Sequence, residues 1–404
     1  MMNGIYSNRL YNASSNPFEF APVFHQYIIL TRIIAGPGCV KEVGNYAKKL
    51  KATKALIVTD PVIDNIGLTV PVEASLKTCG ISFIKFNKVE ENPHWQTVDE
   101  GGRIIKQEKC DLVISVGGGS AIDAGKAMAM MGTNEGSVLD WEGIDRFPND
   151  PVPFMVVPTT CGTGSEVTRG SVITDSARSF KFNVGSDRMR SKVSFLDPLM
   201  LANIPASVAA ATGIDALTHA VEGYVSNGAT PLTDSLLIGA IRLISQNLRA
   251  VVADPKNVAA TLNMQYAATI AGMGFNNAML GLVHAMSEPL SPIAGVPHGV
   301  ANAILLPHIM EFNLNGRMEK FAQIAEAMGE NVWQLPLCEA AEKSVDAVRK
   351  LVKDVGIPAR LSEAGVREEH IPPMVEQAKV HGLLAYNPRR ANAKEIEELY
   401  RKAL

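Results

Sequence analysis

The sequence predicts an α/β domain built on a parallel sheet, followed by an all-α domain. Three observations predict this. Short apolar runs alternate with helical patterns through the first half of the chain. Strand signals stop near Pro205. From there Ala-, Leu-, Ile- and Met-rich stretches of helical period run almost to Leu404. The chain has 404 residues, 47% hydrophobic and 20% charged, enough for two domains with separate cores.

The elements follow in order. Residues 1–20 are polar and rich in Asn and Ser, and read as a flexible N-terminal arm. They lack the charged-then-apolar pattern of a signal peptide, so a cytoplasmic location is expected. The α/β domain is predicted over 21–204. KALIVTD (54–60), FIKFNKV (83–89), CDLVISVGGGS (110–120) and FMVVPTT (154–160) are short apolar runs that end in turns. Helical stretches such as TVDEGGRIIKQEK and AIDAGKAMAMMG separate them. That alternation makes a parallel sheet covered on both faces. VTRGSVITD and SFKFNV alternate and are rich in β-branched residues, which predicts a hairpin. Pro205 and Ser207 make a helix start, and the all-helical domain is predicted over 205–404.

Composition narrows the function classes. The net charge of -3 leaves no basic surplus for nucleic acid. No unbroken apolar run reaches the roughly 18 residues of a membrane span. The five cysteines are odd in number and scattered, with no C-x-x-C, which argues against a disulfide frame or a zinc ribbon and fits reduced thiols.

Two groups of residues carry chemistry. VISVGGGSAIDAGKA places Gly117, Gly118, Gly119 and Ser120 between a strand and a helix. Glycine lets backbone approach a ligand, and a helix N-terminus favours phosphate. A tight strand–helix turn uses glycine for the same geometric reason. The run matches neither the G-x-G-x-x-G fingerprint nor a P-loop. PTTCGTGSEVT (158–168) is a second candidate loop. Asp60 ends the first strand, where a carboxylate accepts from a ribose 2′-hydroxyl and repels a 2′-phosphate. It also fits an ordinary Asp-Pro turn.

The second group is Asp215, His219, His284 and His298. Asp215 and His219 stand four apart in GIDALTHAVEGY, on one helix face. His284 lies in GLVHAMSEPL and His298 in GVPHGVANAILLP. Three imidazoles and a carboxylate suit Fe(II) or Zn(II). An Asp–His pair at this spacing is also a common helix-surface contact. The other five histidines show no comparable grouping with a carboxylate along the chain.

Taken in order over about residues 27 to 385, these segments closely resemble the iron-containing (group III) alcohol dehydrogenase family. The matching pieces are VTD, the Asn92-Pro93 turn, GGGSAIDAGKA, PTTCGTGSEVT, Asp197-Pro198, GIDALTHAVEGY, GLVHAM and VPHG–ANAILLP. The resemblance implies a dehydroquinate-synthase-like architecture: an α/β nucleotide-binding domain, an all-α metal-binding domain, and an active site in the cleft between them. It implies hydride transfer between NAD(H) and a small alcohol or aldehyde at Fe(II), or Zn(II) in some members. It assigns the metal to Asp215, His219, His284 and His298. Gly117, Gly118, Gly119 and Ser120 fall on the pyrophosphate, with Asp123 opening the helix behind them, and Asp123 and Asn92 count among the cofactor-binding residues. Thr159, Thr160 and Thr163 line the nicotinamide side, Lys181 reaches the ribose, and Asp60 points to NAD.

The chain departs from the family at two positions. Many members carry histidine four residues after the third ligand, where this chain has Glu288, a candidate proton relay. Gly170 replaces an asparagine found in some relatives. Arg169, Arg188 and Arg190 are candidates to bind an anionic substituent. Rival readings are a glycerol-dehydrogenase-like enzyme, a reductase of a small anionic aldehyde, and a non-catalytic scaffold that keeps NAD and metal. A homodimer or larger homo-oligomer is expected, with no nucleic-acid or membrane partner.

Overall fold

The computed structural model describes residues 26–178 and 180–404, so the arm expected at 1–20 lies outside the described residues. The strands, in chain order, are β1 (Arg32–Ala35), β2 (Lys54–Val58), β3 (Ser82–Phe86), β4 (Leu112–Gly117), β5 (Gly143–Ile144), β6 (Phe154–Pro158), β7 (Gly170–Asp175), β8 (Phe180–Gly185) and β9 (Val193–Leu196). Helices α1 (Val43–Lys49), α2 (Pro61–Asn65), α3 (Val70–Thr78), α4 (Trp95–Glu108) and α5 (Gly119–Met131) lie between them.

Six strands form one parallel sheet in the order β1-β9-β6-β4-β2-β3. The four apolar runs read from the sequence become β2, β3, β4 and β6. β1 and β9 were not foreseen, because four residues are too few to show a period. Side chains alternate between two cores. Ala55 and Ile57 join a cluster with Ile114 and Val157 that continues into the helical half. Leu56 and Val58 face the opposite way, with Val113, Val156 and the Met128 side of α5. Burial on both faces is why these strands read as unbroken apolar runs. The expected hairpin forms as well: β7 and β8 pair antiparallel from Gly170–Gly185 to Asp175–Phe180.

Beyond Leu196 the described residues hold no strand. The helices are α6 (Ala206–Val225), α7 (Pro231–Ala253), α8 (Val258–Ala278), α9 (Leu282–Ser287), α10 (Leu290–Ala294), α11 (His298–Asn313), α12 (Met318–Ala327), α13 (Leu337–Asp354), α14 (Ile371–Ala378) and α15 (Ala393–Ala403). By length and composition alone α7 could cross a membrane. It packs instead as a bundle helix. Leu237, Ile241, Ile244 and Leu248 are fully buried in the core, while Asp234 pairs with Lys320 at 2.8 Å. Asp234, Arg242 and Arg249 break the run that a simple apolar count would require.

Candidate metal and cofactor site

The sheet order sets the first half of the site. The chain leaves β2 for β3 on one side, then crosses back to β4 and onward to β6 on the other. Such a reversal opens a crevice at the carboxyl ends of the two central strands. Asp60 follows β2 there, and Gly117 ends β4. Asp60 makes the Asp-Pro turn that its sequence context suggested, and its second oxygen lies toward the glycine loop. Its Oδ1 caps α2, accepting from the Val62 and Ile63 amides at 2.9 Å each. Its Oδ2 faces the glycine loop, 3.6 Å from where a Cβ on Gly117 would lie.

The two candidate loops touch. A Cβ on Gly119 would fall 2.5 Å from Thr163 Cγ2, and one on Gly118 would fall 3.2 Å from Thr160 Cγ2. The Thr159 amide donates to Gly117 O at 3.0 Å. Ser120 Oγ donates to Glu91 O, which ties the loop to the turn that carries Asn92. Farther along, Gly164 has φ +62° and lies against Gly272 of α8, so close that a Cβ would meet Gly272 Cα at 2.7 Å. That left-handed glycine brings the second loop onto the helical half.

Asp123, expected among the cofactor-binding residues, is engaged by the hairpin and by Lys126. Its Oδ2 accepts from the Val172 amide at 3.0 Å, and Oδ1 lies 3.4 Å from Lys126 Nζ. Lys126 is fully buried and also donates to Gly170 O at 2.6 Å and Thr168 Oγ1 at 3.1 Å. Asp123 therefore joins α5 to the hairpin. Lys181, on β8, lines the cleft instead. Burial pulls its ammonium pKa down, while Glu288, Glu91 and Asp123 pull it up.

Helices α6, α9 and α11 build the second half. One donor atom each from Asp215, His284 and His298 lie within 4.8 Å of one another. Asn302 Nδ2 lies 2.7 Å from Asp215 Oδ1, 3.0 Å from His298 Nε2 and 3.3 Å from His284 Nε2. The Nδ2 donates to Asp215, and its short distances to both imidazole nitrogens show that the three ligand atoms surround one place. The tautomer of His284 is set from behind. Its Nδ1 lies 2.5 Å from Glu222 Oε2, and Glu222 Oε1 accepts from the Val283 amide at 2.5 Å. A carboxylate on Nδ1–H leaves the Nε2 lone pair facing inward, as when a carboxylate orients a metal-bound histidine from behind.

His219 stands beside the three rather than among them. Its Nδ1 is 3.8 Å from Asp215 Oδ2, buried, and without a hydrogen-bond partner among the described residues. The ring stacks between Phe275 at 4.4 Å and His284 at 4.6 Å. Burial drives the His219 pKa to about 3 and that of His298 to about 4, although Asp215 pulls both upward. Burial alone would raise the Asp215 carboxyl, but the imidazoles and Asn302 bring it below its usual value. Two neutral imidazoles and an ionised carboxylate are the protonation states that metal coordination requires. The donor set, the convergence and the orphaned nitrogen all fit a first-row divalent ion.

Residues 31–198 match the family profile "Iron-containing alcohol dehydrogenase" and residues 209–404 match "Fe-containing alcohol dehydrogenase family, C-terminal". The chain belongs to the iron-containing alcohol dehydrogenase family. It is 44% identical to a 1,3-propanediol dehydrogenase of Citrobacter freundii, over 93% of this chain and 98% of that one. It is 40% identical to an NAD-dependent methanol dehydrogenase of Bacillus methanolicus, over 92% and 97%. A crystal structure of 1,3-propanediol oxidoreductase superposes with TM-score 0.92 at 43% identity, covering 95% of this chain and all of that one, 100%. The chain is thus a metal- and NAD(H)-dependent alcohol dehydrogenase that works by hydride transfer.

Three functional contacts were missed in the sequence. Glu222 lies within GIDALTHAVEGY, three residues after His219, and a search for carboxylates behind ligand histidines would have found it. Asn302 lies four after His298, on the same helix face. His381 had no local signal. It pairs with Glu288 at 2.8 Å across 93 positions, which corrects the reading that the remaining histidines lack carboxylate partners. Two of the three candidate anion-binding arginines need a correction too. Arg188 is engaged by Phe147 O and Asp150, and buried Arg190 by Asp187 and Val167 O. Both hold the fold together.

Proposed function

We propose that this dehydrogenase uses Fe(II), prefers NAD(H) to NADP(H), and acts on a small uncharged alcohol or its aldehyde. The observation that carries this reading is the convergence of Asp215, His284 and His298, beside a glycine loop whose partner loop is held against the helical half at Gly164 and Gly272. His219 would complete the ligand set with its unpartnered nitrogen. When bound, the metal supplies a Lewis acid for the substrate oxygen, and the nicotinamide supplies the hydride acceptor or donor.

The protein's own residues do the rest. Gly117, Gly118, Gly119 and Ser120 would admit the pyrophosphate to the N-terminus of α5. Thr159, Thr160 and Thr163 would border the nicotinamide, and Lys181 the ribose. Asp60 Oδ2 would accept from the adenosine ribose and repel a 2′-phosphate. Iron is favoured over zinc by the family, since the N3O donor set suits both. An uncharged substrate is favoured because Arg188 and Arg190 are taken up by the fold, and because the related enzymes carry 1,3-propanediol and methanol in their names.

The test is reconstitution. Protein stripped with a chelator should lose turnover, recover it with about one Fe(II) per chain, and show higher kcat/KM with NADH than with NADPH. Undiminished turnover in rigorously metal-free protein would refute the metal assignment. Recovery with Zn(II) but not Fe(II) would refute the choice of metal.

A further inference from the structure

Glu288 and His381 lie outside the ligand set but at its edge. Glu288 caps the C-terminus of α9, and its amide donates to His284 O at 3.1 Å, so its side chain follows one turn behind a ligand. The carboxylate is partly exposed, at 30%, in a small cleft between the two halves of the molecule. β8 contributes Phe180 and Lys181 to that cleft. The helical half contributes Glu288, Pro289, Pro292, Gln377 and His381.

His381 holds the carboxylate in one orientation. Its Nδ1 accepts from the Leu383 amide at 3.2 Å, so Nδ1 carries no proton. The proton is therefore on Nε2, which donates to Glu288 Oε2 at 2.8 Å. Both ring nitrogens are thus engaged, and an imidazole held this way has no open position to pass a proton onward. The pair reads as a clamp rather than a relay. One carboxylate oxygen is bound by His381, and Glu288 borders a cleft of about 20 Å³, room for a single hydroxyl beside Oε1.

The cleft walls say what kind of ligand fits. Phe180, Pro289 and Pro292 offer contact to carbon, and Oε1 offers one strong acceptor. Lys181 lines the same cleft and offsets part of the charge, so a neutral donor is accommodated without requiring a cation. A carboxylate or sulfonate would meet Glu288 head-on. We propose that Glu288, clamped by His381, is the specificity-determining acceptor for a hydroxyl at the end of the substrate remote from the reacting carbon. The substrate class is then a small neutral diol or hydroxyaldehyde, and anionic aldehydes are excluded. This rests on the dehydrogenase reading above and deepens it. His381 is a positioning residue, because it acts through Glu288.

The test uses the full chain, metal-reconstituted, with metal per chain measured for every variant. The ratio of kcat/KM for 1,3-propanediol to that for 1-propanol is compared among wild type, Glu288→Gln, Glu288→Ala, His381→Ala and His381→Gln. Succinate semialdehyde is compared with butanal in the reductive direction. A charge-assisted hydrogen bond corresponds to a preference of about ten- to a hundredfold. We expect wild type to prefer the diol by that factor. Glu288→Ala should abolish the preference and Glu288→Gln should reduce it. His381→Ala should weaken it, with partial rescue in His381→Gln, which restores a donor. The ratio for succinate semialdehyde over butanal should rise about tenfold in Glu288→Gln.

Calorimetric binding of 1,3-propanediol and 1-propanol to the enzyme–NADH complex gives a readout independent of turnover. The diol should bind tighter to wild type, and the gap should close in Glu288→Ala. If metal-loaded protein oxidises neither alcohol, the choice of substrate made above falls, and calorimetry alone decides the role of Glu288. If both ratios and both affinities are the same in wild type and the Glu288 variants, the proposal is overturned. No rescue in His381→Gln combined with full retention in His381→Ala would remove the clamp from it.

Discussion

Glu222 gives the sharpest test of how the site is built. Its buried carboxylate serves two donors at once, the Val283 amide on Oε1 and His284 Nδ1 on Oε2, each at 2.5 Å. Glutamine at this position has the same size but only one acceptor atom. If that oxygen keeps the Val283 amide, the new NH2 faces Nδ1. The imidazole must then move its proton to Nε2, the nitrogen that faces the metal position. If the oxygen keeps His284, the NH2 faces the Val283 amide, and two donors oppose each other in a buried place. Either arrangement forfeits a charge-assisted hydrogen bond, about 1.5–3 kcal/mol. Loss of such an outer carboxylate typically weakens metal binding about ten- to a hundredfold. We expect Glu222→Gln to weaken Fe(II) affinity by that factor, measured by competition with a chelator of known affinity.

The pH dependence follows with a definite sign. Burial lowers the His284 pKa, but the Glu222 hydrogen bond and charge outweigh it and hold it above the usual value. In wild type a proton therefore competes with the metal as pH falls through that raised value. The variant lacks the Glu222 charge, so the affinity gap should narrow toward acid pH. Affinity within about twofold of wild type at neutral pH, with melting of the metal-free protein unchanged, would refute the argument.

Three further outcomes follow. Asp60→Asn keeps the oxygen that caps α2 but removes the charge facing the glycine loop. The NADPH-to-NADH ratio of kcat/KM should rise at least about tenfold, and an unchanged ratio would mean Asp60 does not discriminate. Gly119→Ala places a methyl 2.5 Å from Thr163 Cγ2, so NADH affinity should drop while the metal content stays at the wild-type level. Equal NADH affinity by fluorescence titration would show that the loops do not need their close approach. Lys126→Met removes the donor to Gly170 O and Thr168 Oγ1 from a fully buried position, at a cost of about 2–4 kcal/mol in urea unfolding. An unshifted midpoint would show that the buried ion contributes nothing net.

Much of the fold was legible because it rests on local periodicity. The strands β2, β3, β4 and β6 are buried on both faces, and that burial leaves apolar runs in the sequence. The hairpin alternates, and the helical half keeps one period to its end. β1 and β9 escaped because a four-residue strand has no period to read. The α7 helix shows the opposite limit. Its overall composition fits a membrane span although Asp234, Arg242 and Arg249 interrupt it, and its neighbours in the bundle with the Asp234–Lys320 pair fix its place.

The sequence by itself determined the kinds of donor present: a carboxylate, three imidazoles, and glycines where backbone must approach another group. It determined the short spacings too, such as Asp215 to His219 on one helix. Only the tertiary structure decided which donors meet. Asp215, His284 and His298 converge because α6, α9 and α11 pack together, while His219 lies stacked between Phe275 and His284 beside them. Tertiary packing also assigned Asp123, Arg188 and Arg190 to holding elements together, and it brought His381 to Glu288. Helical period and turn chemistry act over a few residues, so a single chain reports them. Hydrogen bonds and coordination act over about 3 Å in space, with no regard for distance along the chain. Their partners exist only once the helices have packed.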